Sequence, residues 1–173
     1  MIIYLIGFPG SGKTTWGKKL ANKINFKFTD LDDYIEQKHN RTISDIFKTD
    51  GEDFFRKIEN EALKELVSKT KTVIATGGGT PCYFDNIHFI NNNGLTIYIK
   101  QGIGCLVNRL RFSKTIRPLI DNMNNFELSE FVQEKLDERE VCYLKAHRIV
   151  NGKGLKISEL IEIFEAKKDF FQI

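Results

Sequence analysis

Cysteine, charge of one sign and long apolar runs are all scarce in this sequence. Of its 173 residues only Cys82, Cys105 and Cys142 are cysteine, an odd count with no two at metal-ligand spacing. That argues against a disulfide framework and fits a reducing, cytoplasmic compartment. No apolar run approaches the ~20 residues that a membrane-spanning helix needs, so no membrane partner is expected. The opening Met1–Ile6 is apolar, but it lacks a basic flank and runs straight into glycines. It therefore reads as a strand and not as a secretory leader. The 26 Lys and Arg against 23 Asp and Glu leave a net charge of only +3. With no basic–aromatic platform, that is too little to imply nucleic acid. His39, His88 and His147 are isolated in sequence and read as structural or surface residues. There is no internal repeat, linker or long low-complexity segment.

The remainder is that of an ordinary folded domain, 41% hydrophobic and 28% charged. One domain spanning 1–173 is expected, large enough to bury about 70% of its unfolded surface. Short apolar runs alternate with segments of helical period. Strands are expected at Ile2–Ile6, Phe26–Thr29, Thr72–Ala75, Leu95–Ile99 and His147–Val150. Helices are expected at Thr14–Ile24, Leu31–Lys38, Ile43–Phe47, Glu52–Ser68, Asp85–Ile90, Ile103–Leu110, Glu127–Leu144 and Lys156–Lys167. Asn91–Gly94 has the composition of a turn. Phe112–Asn125 shows no clean period and reads as a mobile loop. Strands alternating with helices predict an α/β fold, a parallel sheet with helices on both faces.

Gly7-Phe-Pro-Gly10-Ser11-Gly12-Lys13-Thr14 fits G-x-x-x-x-G-K-[ST] between a strand and a helix, the context that gives this pattern its meaning. Glycines let the backbone wrap a phosphate without Cβ clashes, and successive N–H groups form an anion nest. The helix start adds its positive end. Lys13 supplies charge for the β- and γ-phosphates, and the Thr14 hydroxyl suits Mg²⁺. A nucleoside triphosphate site follows; the acceptor does not.

Acids cluster just past the second strand, at Asp30, Asp32 and Asp33, at the edge where open parallel sheets bind ligands. If the chain stayed extended, Asp30 and Asp32 would share a face, one for a Mg²⁺-bound water and one for a hydroxyl proton. Asp33 reads as a helix cap. Arg56 lies early in a helix, where the dipole disfavours a cation, and so suggests an anionic partner. Arg139, flanked by Glu138 and Glu140, suggests the same less strongly, with a surface salt bridge as the alternative. Arg117, in the irregular loop before Pro118, suits a lid arginine that closes over phosphates, with a solvated loop charge as the alternative. No acid follows the third strand; instead Gly77-Gly78-Gly79 leaves bare N–H groups for a ligand.

Taken together, Gly7–Thr14, Asp30-x-Asp32, Ile46-Phe47…Gly51-Glu52…Phe55-Arg56…Glu59, Gly77–Gly79, Arg117-Pro118-Leu119 and Glu138-Arg139…Tyr143 resemble the shikimate kinase family of P-loop, nucleoside-monophosphate-kinase-like enzymes. The likeness runs from Ile2 to about Ala146. It implies ATP-dependent phosphorylation of the shikimate 3-hydroxyl, a step toward chorismate and the aromatic amino acids. It implies a three-layer, five-stranded fold with a shikimate-binding region at about 31–60 and a lid at about 112–125, working as a cytoplasmic monomer. ATP would be held by Gly10, Ser11, Gly12, Lys13, Thr14, Thr15 and Arg117. Mg²⁺ would meet Thr14 directly and Asp30 through water. Lys13, Asp32 and Arg117 would be catalytic, with Asp32 binding the shikimate hydroxyls and standing as the candidate base. Arg56 and Arg139 would pair with the carboxylate, Gly77, Gly78 and Gly79 would supply backbone contacts, and Phe47 and Phe55 would wall the ring. The adenine-side arginine is either Arg109 or Arg111. A gluconate or nucleoside-monophosphate kinase shares the phosphate loop, and a nucleotide-dependent switch without transfer is the non-enzymatic alternative.

Overall fold

The computed structural model describes residues 1–112 and 123–167. Among them five parallel strands form one sheet: β1 (Ile2–Ile6), β2 (Lys27–Asp30), β3 (Thr72–Ala75), β4 (Leu95–Lys100) and β5 (Arg148–Asn151), in the order β2-β3-β1-β4-β5. The helices are α1 (Lys13–Lys23), α2 (Leu31–His39), α3 (Ile43–Leu66), α4 (Asn86–Asn93), α5 (Ile103–Arg111), α6 (Asn125–Tyr143) and α7 (Ile157–Glu165).

Alternation along the strands sorts side chains to two faces, as the period of two demands. Ile2, Tyr4, Ile6, Ile74 and Tyr98 pack with buried residues of α2 to α6. Ile3, Leu5, Val73, Leu95, Ile97 and Ile99 pack on the other face with Leu20 and Ala21 of α1 and Leu160 and Phe164 of α7. Both faces are covered, which explains why β1, β3 and β4 read as continuous apolar runs.

Register positions the site. Leu5 pairs with Ala75, and Ala75 with Asp30, so β1, β3 and β2 end at one level. The phosphate loop, Gly77–Gly79 and Asp30–Asp32 therefore leave the sheet side by side, where the chain order reverses around β1.

Several expected boundaries are corrected. Ile43–Phe47 and Glu52–Ser68 are not separate helices; one element, α3, runs Ile43–Leu66 with a kink at Gly51 (φ 82°, ψ 174°). Asn91–Asn93 do not form a turn but close α4. Asn93 Nδ2 donates to the Phe89 carbonyl at 2.8 Å and Asn91 Nδ2 to the Lys145 carbonyl at 2.9 Å, so turn-forming amides serve here to finish and anchor a helix. Asp30 is not past its strand: it ends β2 and caps α2, its side chain accepting from the Asp32 N–H. Asp32 is thus in a helical first turn, and the extended face-sharing of the two acids does not occur. Asn124 and Asn125 leave the expected lid, since Asn124 and Glu127 form a capping box that starts α6 at Asn125. The rest of that segment, 113–122, lies outside the described residues and takes Lys114, Arg117, Pro118 and Leu119 with it.

Gly51 has open space around its missing Cβ, so its role is purely conformational. Gly51→Ala should lower the unfolding free energy by about 1–3 kcal/mol, the cost of holding a side chain in this glycine-only region. Denaturant titration measures it, and stability equal to the parent would contradict the kink's dependence on glycine.

Candidate active site

Gly12, in the left-handed region at φ 100°, is the N-cap of α1 and turns the loop into the helix. Lys13 is buried, and its Nζ donates to the Gly7 carbonyl at 2.9 Å and the Phe8 carbonyl at 3.1 Å. The loop's own backbone thus holds the ammonium at the mouth of the nest. Ser11 Oγ is buried with no hydrogen-bond partner among the described residues. A buried hydroxyl left unpaired is costly, and a phosphate oxygen in the loop would satisfy it. Thr14 Oγ1 donates to Asp30 Oδ2 at 2.7 Å, while Asp30 Oδ1 accepts from the Asp32 N–H at 3.1 Å. These hard oxygen donors at the positive end of α1 fit Mg²⁺ carried on a nucleotide's phosphates. Thr15 is exposed one residue further along the helix.

Arg56 lies on α3, five residues past the kink, and is buried. Its Nε and Nη2 donate to Glu52 Oε1 at 3.1 and 2.9 Å, and its Nη1 donates to Glu59 Oε2 at 2.9 Å. Glu59 is 1% exposed, and its Oε1 accepts from Thr80 Oγ1 at 2.5 Å. The guanidinium stands 4.2 Å from the Tyr83 ring and 5.2 Å from the Phe55 ring. Phe55 packs on Phe47 with centroids 4.7 Å apart. Burial pulls the Arg56 pKa down, but Glu59 and Glu52 outweigh it and hold the cation firmly charged. Burial also works to raise Glu52, yet hydrogen bonds from Arg56 and Tyr83, with the charges of Arg56 and Arg139, keep its carboxyl below the usual glutamate value.

The glycine run lies against these groups. A Cβ on Gly79 would come within 2.7 Å of Arg56 Nη2, and one on Gly77 would lie 2.8 Å from Glu59 Oε1 and 3.0 Å from Asp32 Oδ1. Gly78 is closed off by Pro9 of the phosphate loop, which its Cβ would overlap. The Gly78 carbonyl accepts from the Tyr143 hydroxyl, which is also hydrogen-bonded to the Arg139 side chain. The Arg139 guanidinium sits 5.7 Å from the ring of Phe8, another phosphate-loop residue. Its expected salt bridges are absent: Glu138 pairs with Lys135 at 2.8 Å and Glu140 with Lys100 at 2.9 Å. Arg139 makes no ion pair among the described residues.

Two guanidinium groups thus lie close to the phosphate loop, with Asp32 beside Gly77. The family model described as shikimate kinase matches residues 9–167 of this chain.

This chain belongs to the shikimate kinase family. The shikimate kinase of Azobacteroides pseudotrichonymphae is 42% identical over 161 residues, covering 92% of this chain and 95% of that protein. The crystal structure of shikimate kinase from Bacteroides thetaiotaomicron superposes with a TM-score of 0.92 at 36% identity, covering 95% of this chain and 98% of that one. Shikimate kinase from Acinetobacter baumannii, solved in complex with shikimate, gives 0.86 at 31% identity over 96% and 94% of the two chains.

Measured against the expected shikimate kinase site, the structure brings together Gly10–Thr14, Asp30, Asp32, Phe47, Phe55, Arg56, Gly77–Gly79 and Arg139. Arg117 lies outside the described residues. Of the two candidates for an adenine-side arginine, Arg109 reaches the phosphate loop, its Nη1 donating to the Gly10 carbonyl at 3.0 Å. Arg111 instead lines a surface cavity with Val107, Phe112 and Asn125. The reason given for Arg56 needs correcting: its charge is not left bare near a helix start but is matched by Glu52 and Glu59. The signal was in the spacing, since residues four before and three after Arg56 share its helix face. Thr80, Tyr83 and the role of Tyr143 gave no comparable signal.

Breaking a buried pair leaves an uncompensated charge, so Glu59→Gln should cost about 3–5 kcal/mol of stability. Denaturant unfolding measures it; a variant as stable as the parent would show that Glu59 does not hold Arg56.

Proposed function

We propose that this chain transfers the γ-phosphoryl group of ATP to the 3-hydroxyl of shikimate, giving shikimate 3-phosphate and ADP on the route to chorismate. The observation that carries the reading is the meeting of two unlike sites: a phosphate loop, and two arginines that press against it through Gly78, Gly79 and Phe8. A small anionic polyol needs guanidinium donors for its carboxylate and a carboxylate for its hydroxyls.

In this mechanism Arg56 and Arg139 take the acceptor's carboxylate. Phe47 and Phe55 wall its ring, and the N–H groups of Gly77–Gly79 fix its height. Asp32 orients the 3-hydroxyl and takes its proton. Lys13 exchanges the carbonyls of Gly7 and Phe8 for phosphate oxygens, and Gly10, Ser11, Gly12, Thr14 and Thr15 line the nucleotide's phosphates. Arg109 stands at the loop's outer side. Thr14 and Asp30 would hold Mg²⁺, whose contribution when bound is to neutralise the phosphate charge. Phosphoryl transfer asks mostly for such positioning and charge neutralisation. Arg117 as a closing arginine, a monomeric state and a cytoplasmic location are further proposals that rest on the sequence resemblance.

An ADP-release assay across shikimate, gluconate and nucleoside monophosphates tests the reading, with turnover expected on shikimate. Lys13→Met should cut kcat by at least about a hundredfold, and Asp32→Asn by about a hundredfold or more. Faster turnover of another acceptor would overturn the assignment, and near-parent rates in either variant would overturn that residue's role.

A further inference from the structure

Arg56 has five N–H donors, and Glu52 and Glu59 engage three of them. The Tyr83 hydroxyl is a further hydrogen-bond partner of the guanidinium, and Gly79 packs against it, where a Cβ would lie 2.7 Å from Nη2. How the guanidinium is turned is set by where Glu52 and Glu59 hold it. Glu52 is poorly suited to hold anything alone: its side chain is 51% exposed, whereas that of Arg56 is 9% exposed. Left to itself, an exposed glutamate samples many rotamers, and some would release the guanidinium.

Tyr83 removes that freedom. It follows the 3₁₀ turn Thr80–Cys82 in extended conformation, which carries its ring out over the Arg56 guanidinium at 4.2 Å. Its hydroxyl donates to Glu52 Oε1 at 3.0 Å, the same oxygen that accepts from Nε and Nη2 of Arg56. One oxygen therefore receives three hydrogen bonds, two from the cation and one from the phenol. The ring stacks over the cation that its own hydroxyl helps to orient, and Phe55 approaches the guanidinium as well. The 3₁₀ turn links the two halves of the arrangement, since its first residue, Thr80, binds Glu59 while the residue after it binds Glu52.

We propose that Tyr83 is a positioning residue for the acceptor's carboxylate: it acts through Glu52 and Arg56 to hold the guanidinium in the orientation that receives the substrate. Its hydroxyl bonds Glu52 and Arg56, so its effect falls on acceptor binding. The kinetic consequence rests on the shikimate reading above; the hold on Arg56 does not.

Tyr83→Phe keeps the ring and removes the hydroxyl, while Tyr83→Leu removes both. Tyr83→Phe should raise the KM for shikimate about tenfold, the size of one hydrogen bond to a charged group. Tyr83→Leu should raise it further; kcat and the KM for ATP should stay near the parent in both, and Tm should stay near the parent in Tyr83→Phe. Unchanged acceptor KM in both variants would overturn the proposal. So would a loss shared by kcat, both KM values and Tm, which marks a plainly structural residue. Proton exchange at Arg56 Nε, followed by NMR on ¹⁵N-arginine protein and assigned by its loss in Arg56→Lys, gives a readout without any acceptor. Exchange should be faster in Tyr83→Phe. Should the parent fail to phosphorylate shikimate, the acceptor reading falls by itself, and equal exchange in parent and Tyr83→Phe would then overturn the role of Tyr83.

Discussion

A buried guanidinium is the constraint around which the proposed acceptor side of this enzyme is arranged. Taking a cation out of water costs several kcal/mol unless carboxylates and hydrogen bonds replace the lost solvent. Arg56 meets that requirement with Glu59 on the inside, Glu52 at the mouth, and aromatic faces on Tyr83 and Phe55. Its own helix supplies both acids, so the compensation is set by local spacing, and Thr80 then ties Glu59 to the turn after the glycine run. A cation fixed in this way loses little conformational freedom when an anion arrives. Preorganisation of that kind is where the affinity of a small charged substrate comes from.

The sheet makes this local arrangement useful. Strands ending at one level release the phosphate loop, the Asp30–Asp32 corner and the glycine run within contact of one another. Pro9 fills the space over Gly78, and Phe8 lies under Arg139. A side chain on Gly78 would collide with the loop, one on Gly79 with the guanidinium and one on Gly77 with Glu59 and Thr80, so their role here is chiefly one of close approach. Tyr143 joins the two sides, accepting from Arg139 while donating to Gly78. In the proposed mechanism nucleotide and acceptor would share these walls, as in-line phosphoryl transfer requires.

The strand–loop–helix opening and the alternating faces of the sheet were legible in the sequence because glycine, lysine and apolar period carry a direct physical meaning. Gly7–Thr14 announced its site for that reason. The Asp30–Asp32 geometry was not legible: whether two acids lie on a strand or begin a helix depends on where β2 stops, and residue type alone does not fix that. Arg56 reads from the sequence as a cation wanting an anionic partner near a helix start, whereas the structure pairs it with Glu52 and Glu59 on its own helix face. Tyr83 was silent in sequence, since its contact with Glu52 spans 31 positions and is created only by the 3₁₀ turn. The asparagine run at Asn91–Asn93 misled, because amides that favour turns also bond helix-terminal carbonyls.

The most direct test is a structure of the enzyme with shikimate bound. The carboxylate should lie between the Nη1/Nη2 edge of Arg56 and the Arg139 guanidinium, with the 3-hydroxyl within hydrogen-bonding distance of Asp32 and facing the phosphate loop. Shikimate seated elsewhere, or with its carboxylate turned away from Arg56, would contradict an acceptor site built on that buried cation.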